Sequence, residues 1–175
     1  TLIADIIPTV ISTLIIELYE HKEKNVYSSD DIYDDFCNDL KKPEILNELA
    51  HKYPCMFSLM YETAERRAGY ICSCIENIYN NKEIIEKTLC TNFEYITDIR
   101  VTNGDSHNGG KKVIIIETDG GKFVYKPHSL DPEKVFEKII YNINNSCLLE
   151  YDLKCAAVCS FDDFGIQEFI SQRSI

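Results

Sequence analysis

The sequence predicts an α+β fold in which an N-terminal helical region is followed by a small antiparallel sheet with one helix. Two observations support this prediction. Apolar residues recur at helical spacing through residues 2–80, whereas short apolar runs separated by turn signals fill the chain from residue 92 onward. We therefore expect two parts, a helical region at residues 1–91 and a strand-rich region at residues 92–175.

Four stretches of the first part have the pattern of helices. Residues 2–22 carry isoleucine, leucine and valine at three- and four-residue intervals, which places these side chains on one side of a helix. Ser28, Ser29 and Asp30 precede the next apolar stretch. They predict the start of a second helix there, because short polar side chains cap helix N-termini. The second helix is predicted after these residues and through Leu40, and the third and fourth are predicted at residues 44–51 and about 55–80.

The second part begins with three expected strands. Residues 93–101 alternate between apolar and polar side chains, as a half-exposed strand does. Residues 112–118 and 122–127 are apolar runs that flank the segment Asp119-Gly120-Gly121. Aspartate followed by glycine predicts a hairpin between them, because glycine adopts the positive φ that tight turns demand.

One helix and two further strands complete the predicted sheet. Asp131-Pro132-Glu133 marks a helix start, since proline suits the first turn and acidic side chains favour the positive end of the helix dipole. We expect its apolar side chains to face inward, namely Val135, Phe136, Ile139, Ile140 and Ile143. The last strands are predicted at residues 154–160 and 165–171.

Composition argues against several classes of protein. A net charge of -11 argues against a basic surface for nucleic acid, so no nucleic-acid partner is expected. No transmembrane segment is expected either, because Asp5, Pro8 and Glu17 interrupt the most apolar run, Ile3 to Leu18. Eight cysteines without a CxxC pair indicate reduced, mostly buried thiols of a cytoplasmic protein rather than disulfides or a zinc site.

A glycine-containing loop and a lysine are the most informative features. Gly104, Gly109 and Gly110 let the backbone approach an anion, and their N–H groups can cradle a phosphate. Lys126 ends an apolar strand, where its compact charge stands at one edge of the sheet. Together they indicate a nucleotide-phosphate site. The alternatives are a polar hairpin loop with glycines for turn geometry alone, and a strand-end lysine that reaches into solvent.

Two side chains inside this loop could take part in the chemistry. Asp105 and His107 are two residues apart, so in an extended chain they point the same way. Such a pair could orient a phosphate or share a proton with it. It could also be a carboxylate that caps backbone N–H groups beside a passive histidine. The other histidines show no ligand spacing and are interpreted as structural or solvent-exposed; they are His21, His51 and His128.

The order strand, loop, strand, turn, strand, helix, strand, strand resembles the small N-terminal lobe of a kinase-like fold. Protein kinases pair the strand lysine with a glutamate of the helix that follows. Glu133 or Glu137 could take that part here, and a solvated helix face is the alternative.

Several segments together carry a more specific resemblance. Residues 104–113 read Gly-Asp-Ser-His-Asn-Gly-Gly-Lys-Lys-Val, and Asp119-Gly120 follows. Residues 125–130 read Tyr-Lys-Pro-His-Ser-Leu, and residues 165–170 read Gly-Ile-Gln-Glu-Phe-Ile. Tyr53-Pro54 precedes the long helix. With this spacing the chain resembles, over nearly its whole length, the dehydratase domain of class II lanthipeptide synthetases (LanM type).

The resemblance implies an enzyme of lantibiotic biosynthesis. Its members phosphorylate Ser and Thr of a ribosomal precursor peptide with ATP and Mg²⁺, then eliminate phosphate to leave dehydroamino acids. It implies that Lys126 holds the ATP phosphates, that the loop glycines bind the nucleotide, and that Asp105 and His107 support phosphorylation. The implied partner is a precursor peptide with a leader and a core containing Ser, Thr and Cys.

Two positions depart from the family pattern. His128 stands where the family usually has arginine after Tyr-Lys-Pro, so a permanent, fork-shaped cation is lost. Ile166 replaces the usual tryptophan, which indicates a change in packing.

The chain has the character of a fragment of a larger domain. It stops before the family's catalytic-loop Asp and Asn, its metal-binding Asp and its elimination residues, so the isolated chain is not expected to complete catalysis. Zinc is expected only in a cyclase domain that is absent from this chain. Two alternatives stay open: a non-catalytic kinase-like module that binds a peptide or partner protein, and a small-molecule or lipid kinase lobe.

Overall fold

The computed structural model describes residues 2–24, 29–102, 111–146 and 149–171, and of residues 29–31 the backbone alone. Within these ranges the chain forms six helices and a five-stranded antiparallel sheet, which confirms the predicted α+β fold. In chain order the elements are α1 (Leu2–Lys24), α2 (Ser29–Asp39), α3 (Pro43–Lys52), α4 (Pro54–Asn80), α5 (Lys82–Leu89), β1 (Ile96–Val101), β2 (Ile114–Thr118), β3 (Gly121–Lys126), α6 (Asp131–Asn145), β4 (Val158–Ser160) and β5 (Gly165–Glu168).

The chain divides into two compact units, residues 1–71 and residues 72–175, so the boundary falls inside α4. The four helices predicted in the first part are confirmed as α1 to α4, and α5 follows them before the first strand. The division predicted after residue 91 marks the change from helices to strands, and it stays a prediction.

Ion pairs and a hydrogen bond join the helices of the first unit. Lys52 Nζ lies 2.7 Å from a carboxylate oxygen of Glu17 and of Glu20, and the Tyr53 hydroxyl donates a 2.6 Å hydrogen bond to Glu17. Arg67 of α4 pairs with Asp5 of α1 at 2.9 Å. Much of the apolar side of α1 nevertheless stays exposed, at Ile3, Ile7, Ile11, Ile15 and Ile16.

Helix α1 is the one helix in the described residues that is long and apolar enough to cross a membrane. Its 18-residue apolar window has a mean hydropathy of 1.8. Core helices of soluble proteins and signal sequences have the same length and composition, so the expected absence of a transmembrane segment stays a prediction.

The second unit is built on a sheet with the strand order β1-β2-β3-β5-β4. Every neighbouring pair is antiparallel, and the two last strands are shorter than the sequence predicts. One face of the sheet is buried at Ile114, Ile116, Phe123, Tyr125 and Ile166. The end of α4 and α5 cover this face, since Asn77 donates a 3.0 Å hydrogen bond to the Tyr125 hydroxyl and Cys159 Sγ lies 3.9 Å from the Ile84 carbonyl oxygen.

The predicted hairpin turn at residues 119–121 is confirmed. Gly121 has a φ of 151°, which favours glycine, and an added Cβ at Gly120 would collide with the Asn92 carbonyl group. Asp119 Oδ1 accepts hydrogen bonds from the backbone N–H groups of Glu94 and Tyr95, at 2.9 and 3.2 Å. The turn therefore also fixes the chain where it enters β1.

Helix α6 is present as predicted, but the prediction that its apolar residues face inward is wrong for three of them. Val135, Phe136 and Ile139 are 56%, 55% and 49% exposed, whereas Glu133 and Glu137 are only partly exposed. Periodicity identifies an apolar stripe on a helix but does not say which stripe the rest of the fold covers.

The prediction of mostly buried cysteines is also wrong. Among the cysteines that the structure describes, only Cys74 and Cys159 are buried, and Cys55, Cys72 and Cys90 are exposed. These described cysteines are free thiols, and the expected absence of disulfides stays a prediction. Exposed positions on α4 explain the error for two of them, because a helix of 27 residues has a long solvent-facing side.

Candidate functional site

Lys126 lies at the end of β3, where the sequence predicts a phosphate-gripping lysine. Its Nζ is 3.6 Å from Glu133 Oε1 in the first part of α6, and the two side chains are 22% and 35% exposed. Of the two glutamates that the sequence left as candidates, the structure thus pairs Glu133 with the lysine. The separation exceeds a hydrogen-bond distance, so the ammonium group is held near the carboxylate without a close contact.

The start of α6 is fixed on the hairpin of β4 and β5. Leu130 is fully buried against Gly165, where an added Cβ would lie 2.6 Å from Leu130 Cδ1. The Leu130 N–H donates a 2.9 Å hydrogen bond to Ser160 Oγ, and the hydroxyls of Ser129 and Ser160 are 3.0 Å apart. Gly165 lies opposite both Ser160 and Lys126 in the sheet, so these contacts bring the first turn of α6 to the lysine.

These anchoring residues were not singled out as functional by the sequence. Gly165 and Leu130 stood only in segments of family resemblance, and Ser160 follows no motif. Glycine at a strand end is common in sequences. Its presence at position 165 therefore does not indicate that a leucine 35 positions earlier packs against it.

An apolar surface adjoins Lys126 on the same face of the sheet. Val124 is two residues from Lys126 on β3 and lies directly opposite Ile115 of β2, so these three side chains share one face. Val124 and Ile115 are half-buried, in contrast to Tyr125 on the other face. The site therefore combines a cation with a partly exposed apolar surface, which suits a ligand that has an apolar ring and an anionic group.

Charge at the other end of β2 and β3 is already compensated. Glu117 Oε1 lies 2.7 Å from both Arg100 Nη2 and Lys122 Nζ, and Asp98 lies 2.8 Å from Arg100. The contrast with the 3.6 Å separation at Lys126 distinguishes the two lysines of β3. Lys122 belongs to a surface ion-pair network, whereas Lys126 is the one with a looser partner.

The glycine-containing loop lies outside the described residues, and with it Gly104, Asp105, His107, Gly109 and Gly110. Their predicted roles stay predictions. The strands on either side of it, however, are described. Val101 and Ile114 are paired, Ile114 pairs in turn with Tyr125, and the Thr102 N–H donates a 3.0 Å hydrogen bond to the Val113 carbonyl. The described residues on either side of residues 103–110 therefore lie at the end of the sheet that carries Lys126.

The two departures from the family pattern have distinct surroundings. His128 is exposed, and its Nδ1 lies 2.8 Å from the Ser129 carbonyl oxygen. Ile166 is fully buried and pairs with Tyr125 and Cys159 in the sheet. A change of packing at this position would therefore lie in the core. Burial also raises the pKa of the Tyr125 hydroxyl, which keeps it neutral in the core.

The fold and site define an α+β protein with a strand-end lysine and a helix glutamate beside it. A family described as a domain of unknown function, DUF4135, matches residues 53–175, and the chain belongs to this family. The domain is found in lanthionine synthetase C-like (LanM-type) proteins. A search of curated proteins finds no match to the chain.

Proposed function

We propose that this chain is the N-terminal part of the dehydratase domain of a class II lanthipeptide synthetase. The complete domain would phosphorylate Ser and Thr of a precursor peptide with ATP and then eliminate phosphate to give dehydroamino acids. The observation that carries the proposal is the Lys126–Glu133 pair at the end of the sheet, in a chain whose family occurs in LanM-type proteins.

In this proposal the site works by positioning and charge. Phosphoryl transfer depends mostly on holding the phosphates and neutralising their charge, and protein kinases use a strand lysine and a helix glutamate for this purpose. Lys126 would bind the ATP phosphates, and Glu133 would orient the ammonium group. Ile115 and Val124 would contact the base, because they form the apolar surface on the same face.

The residues near Lys126 fit ATP better than they fit Mg²⁺. Mg²⁺ takes carboxylate and phosphate oxygens, and the carboxylate beside Lys126, Glu133, already has the lysine as its partner. We therefore assign no Mg²⁺ ligand to the described residues and propose that the metal is bound elsewhere in the complete domain. Asp105, His107 and the loop glycines would complete the nucleotide site.

The wider predictions belong to the same proposal. The protein would act in the cytoplasm on a ribosomal precursor peptide with a leader and a core, without nucleic acid as a partner. The isolated chain would bind nucleotide without completing dehydration.

A second candidate function is a non-catalytic module that binds a peptide or partner protein. One observation favours it: Val135, Phe136 and Ile139 give α6 an exposed apolar surface. Exposed apolar surface of this kind is typical of interaction sites.

A mass spectrum of the precursor peptide tests the proposed function. The full-length parent protein is incubated with ATP, Mg²⁺ and candidate precursors, as wild type, as Lys126→Ala and as Lys122→Ala. Lys122→Ala is the matched control, because it removes a lysine of the same strand that pairs with Glu117.

We expect loss of water from the peptide with the wild type and with Lys122→Ala, and none with Lys126→Ala. Equal dehydration by both variants would contradict the role given to Lys126. A peptide unchanged by the wild type, across precursors encoded nearby, would favour the binding module.

A further inference from the structure

One side of α1 presents a long apolar row to solvent. Ile3, Ile7, Ile11, Ile15 and Tyr19 follow one another at four-residue intervals, and each is 45–70% exposed. Residues four apart lie on the same face of a helix, so these five side chains form one continuous surface, which we call the α1 strip. Among the described residues 2–19, every exposed residue is uncharged. The α1 strip is therefore apolar along its whole length, without the charges that usually keep an exposed helix face in water.

The other side of α1 is held by its own unit. Asp5 pairs with Arg67 at 2.9 Å, and Glu17 lies 2.7 Å from Lys52 Nζ and accepts a hydrogen bond from the Tyr53 hydroxyl. Insertion of α1 into a bilayer would break these contacts and place two carboxylates in hydrocarbon, which is costly. The contacts thus favour a surface of the folded unit over a membrane span.

The α1 strip runs into a cavity between α1 and α2. The cavity has a volume of about 350 Å³, and its lining includes Ile15 and Tyr19 of the strip with Ile32 and Tyr33 of α2. Cavities of about 300 Å³ and more are large enough for ligands, so this one has room for an apolar side chain. A row of helix residues beside a cavity suits a partner helix that lies along the row and inserts one side chain.

The charges around the α1 strip favour a basic partner. Residues 1–71 carry 13 acidic and seven basic side chains. Helix α2, which forms one wall of the cavity, contains five aspartates and no lysine or arginine, and Asp34 next to Tyr33 is exposed. Lys22 also lines the cavity, but Glu23 follows it and is exposed too. Lysine or arginine beside the apolar face of a partner would therefore complement this surface.

Area and charge disfavour two other occupants, a second copy of the chain and a membrane surface. The row from Ile3 to Tyr19 is about 24 Å long and, at a helix width of about 10 Å, covers about 240 Å². A stable dimer buries about 800 Å² on each partner, so the strip is too small for one. Two copies with a net charge of -11 each also repel one another, and anionic headgroups repel an acidic unit. A single helix of about 16 residues, in contrast, matches the length of the strip.

We propose that the α1 strip and its cavity bind one helix of a basic amphipathic peptide. The apolar side chains of the peptide would lie on Ile7, Ile11 and Ile15, and one of them would enter the cavity. Lysine or arginine beside them would face the acidic side chains of α2. The strip precedes residues 53–175, which the family match covers, so this binding is independent of the function proposed for Lys126.

The test is a titration of a labelled 18-residue peptide with the 175-residue chain, followed by fluorescence anisotropy. The peptide has leucines at the i, i+3, i+4 and i+7 positions and lysines elsewhere, and a second peptide has glutamate in place of each lysine. The strip variants are Ile11→Glu and Ile15→Glu. The matched control is Ile139→Glu on α6, because Ile139 and Ile11 are both 49% exposed. Circular dichroism confirms that each variant is folded.

We expect saturable one-to-one binding of the lysine peptide, at least about tenfold weaker in both strip variants and unchanged in Ile139→Glu. The glutamate peptide should bind at least about tenfold more weakly than the lysine peptide. Equal affinity in Ile11→Glu, Ile15→Glu and the wild type would overturn the proposal, and so would equal affinity for the two peptides.

The other occupants are tested on the chain without peptide. Sedimentation measures its oligomeric state, and flotation with vesicles of phosphatidylcholine and phosphatidylglycerol measures membrane binding. We expect a monomer that does not float. A dimer that Ile11→Glu dissociates would assign the α1 strip to a second copy, and flotation that Ile11→Glu abolishes would assign it to a membrane. Either result would overturn the proposal.

Discussion

Replacement of Gly165 by alanine tests how α6 is held beside Lys126. The added methyl group would lie 2.6 Å from Leu130 Cδ1 and 3.1 Å from Leu130 Cβ, whereas carbon atoms in contact prefer about 3.5–4.0 Å. Leu130 is fully buried and cannot swing into solvent. Overpacking of this kind costs about 1–3 kcal/mol. For a unit of this size we expect the melting temperature to fall by about 5–15 °C.

The assays are thermal unfolding and urea unfolding, both followed by circular dichroism, with Gly69→Ala as the control. Gly69 lies inside α4 with nothing near its added Cβ, so alanine there should stabilise the helix by about 0.5–1 kcal/mol. Leu130→Ala alone should cost about 2–5 kcal/mol, because it leaves a cavity. The double variant Gly165→Ala/Leu130→Ala should lose less stability than the two single variants lose together, since the clash is gone. Wild-type stability for Gly165→Ala, or full additivity in the double variant, would refute the reasoning.

Two further predictions concern the second unit. Phe136→Ala should lower the free energy of unfolding by less than about 1 kcal/mol, since the ring is 55% exposed. Phe123→Ala in the core should lower it by about 3–5 kcal/mol. Similar losses for the two variants in chemical unfolding would show that α6 buries its apolar side. Stability should fall as the pH rises above 10.0, the ordinary tyrosine pKa, because unfolded Tyr125 ionises there while its raised pKa keeps the folded form neutral. Tyr125→Phe should therefore lose less stability between pH 9 and about pH 11 than the wild type, and an unchanged slope would contradict the burial of the hydroxyl.

The elements that sequence analysis located correctly are those set by local rules. The helices α1 to α4 follow from apolar spacing, and the hairpin follows from Asp119 and the two glycines after it. The position of Lys126 at a strand end was also readable, because a strand ends where the apolar run does. Helical and extended backbones have short repeats, so a window of ten or so residues contains the information.

The candidate site was only partly predictable. The lysine and two possible glutamate partners follow from the order of elements, but the choice of Glu133 depends on how α6 lies on the sheet. That placement is set by Leu130 above Gly165 and by the hydrogen bond to Ser160, which join residues 30 or more positions apart. The outward direction of Val135, Phe136 and Ile139 was mispredicted for the same reason.

By itself, then, the sequence determined the α+β class, the succession of helices and strands, and a lysine at the end of β3, because each depends on neighbours along the chain. Only the tertiary structure decided which charged groups meet. It brought Glu133 to Lys126, and it brought His21 to Asp35 and Asp39, which share no motif. Such meetings depend on strand register and helix packing, and these are settled by burial across the whole unit rather than by any local pattern.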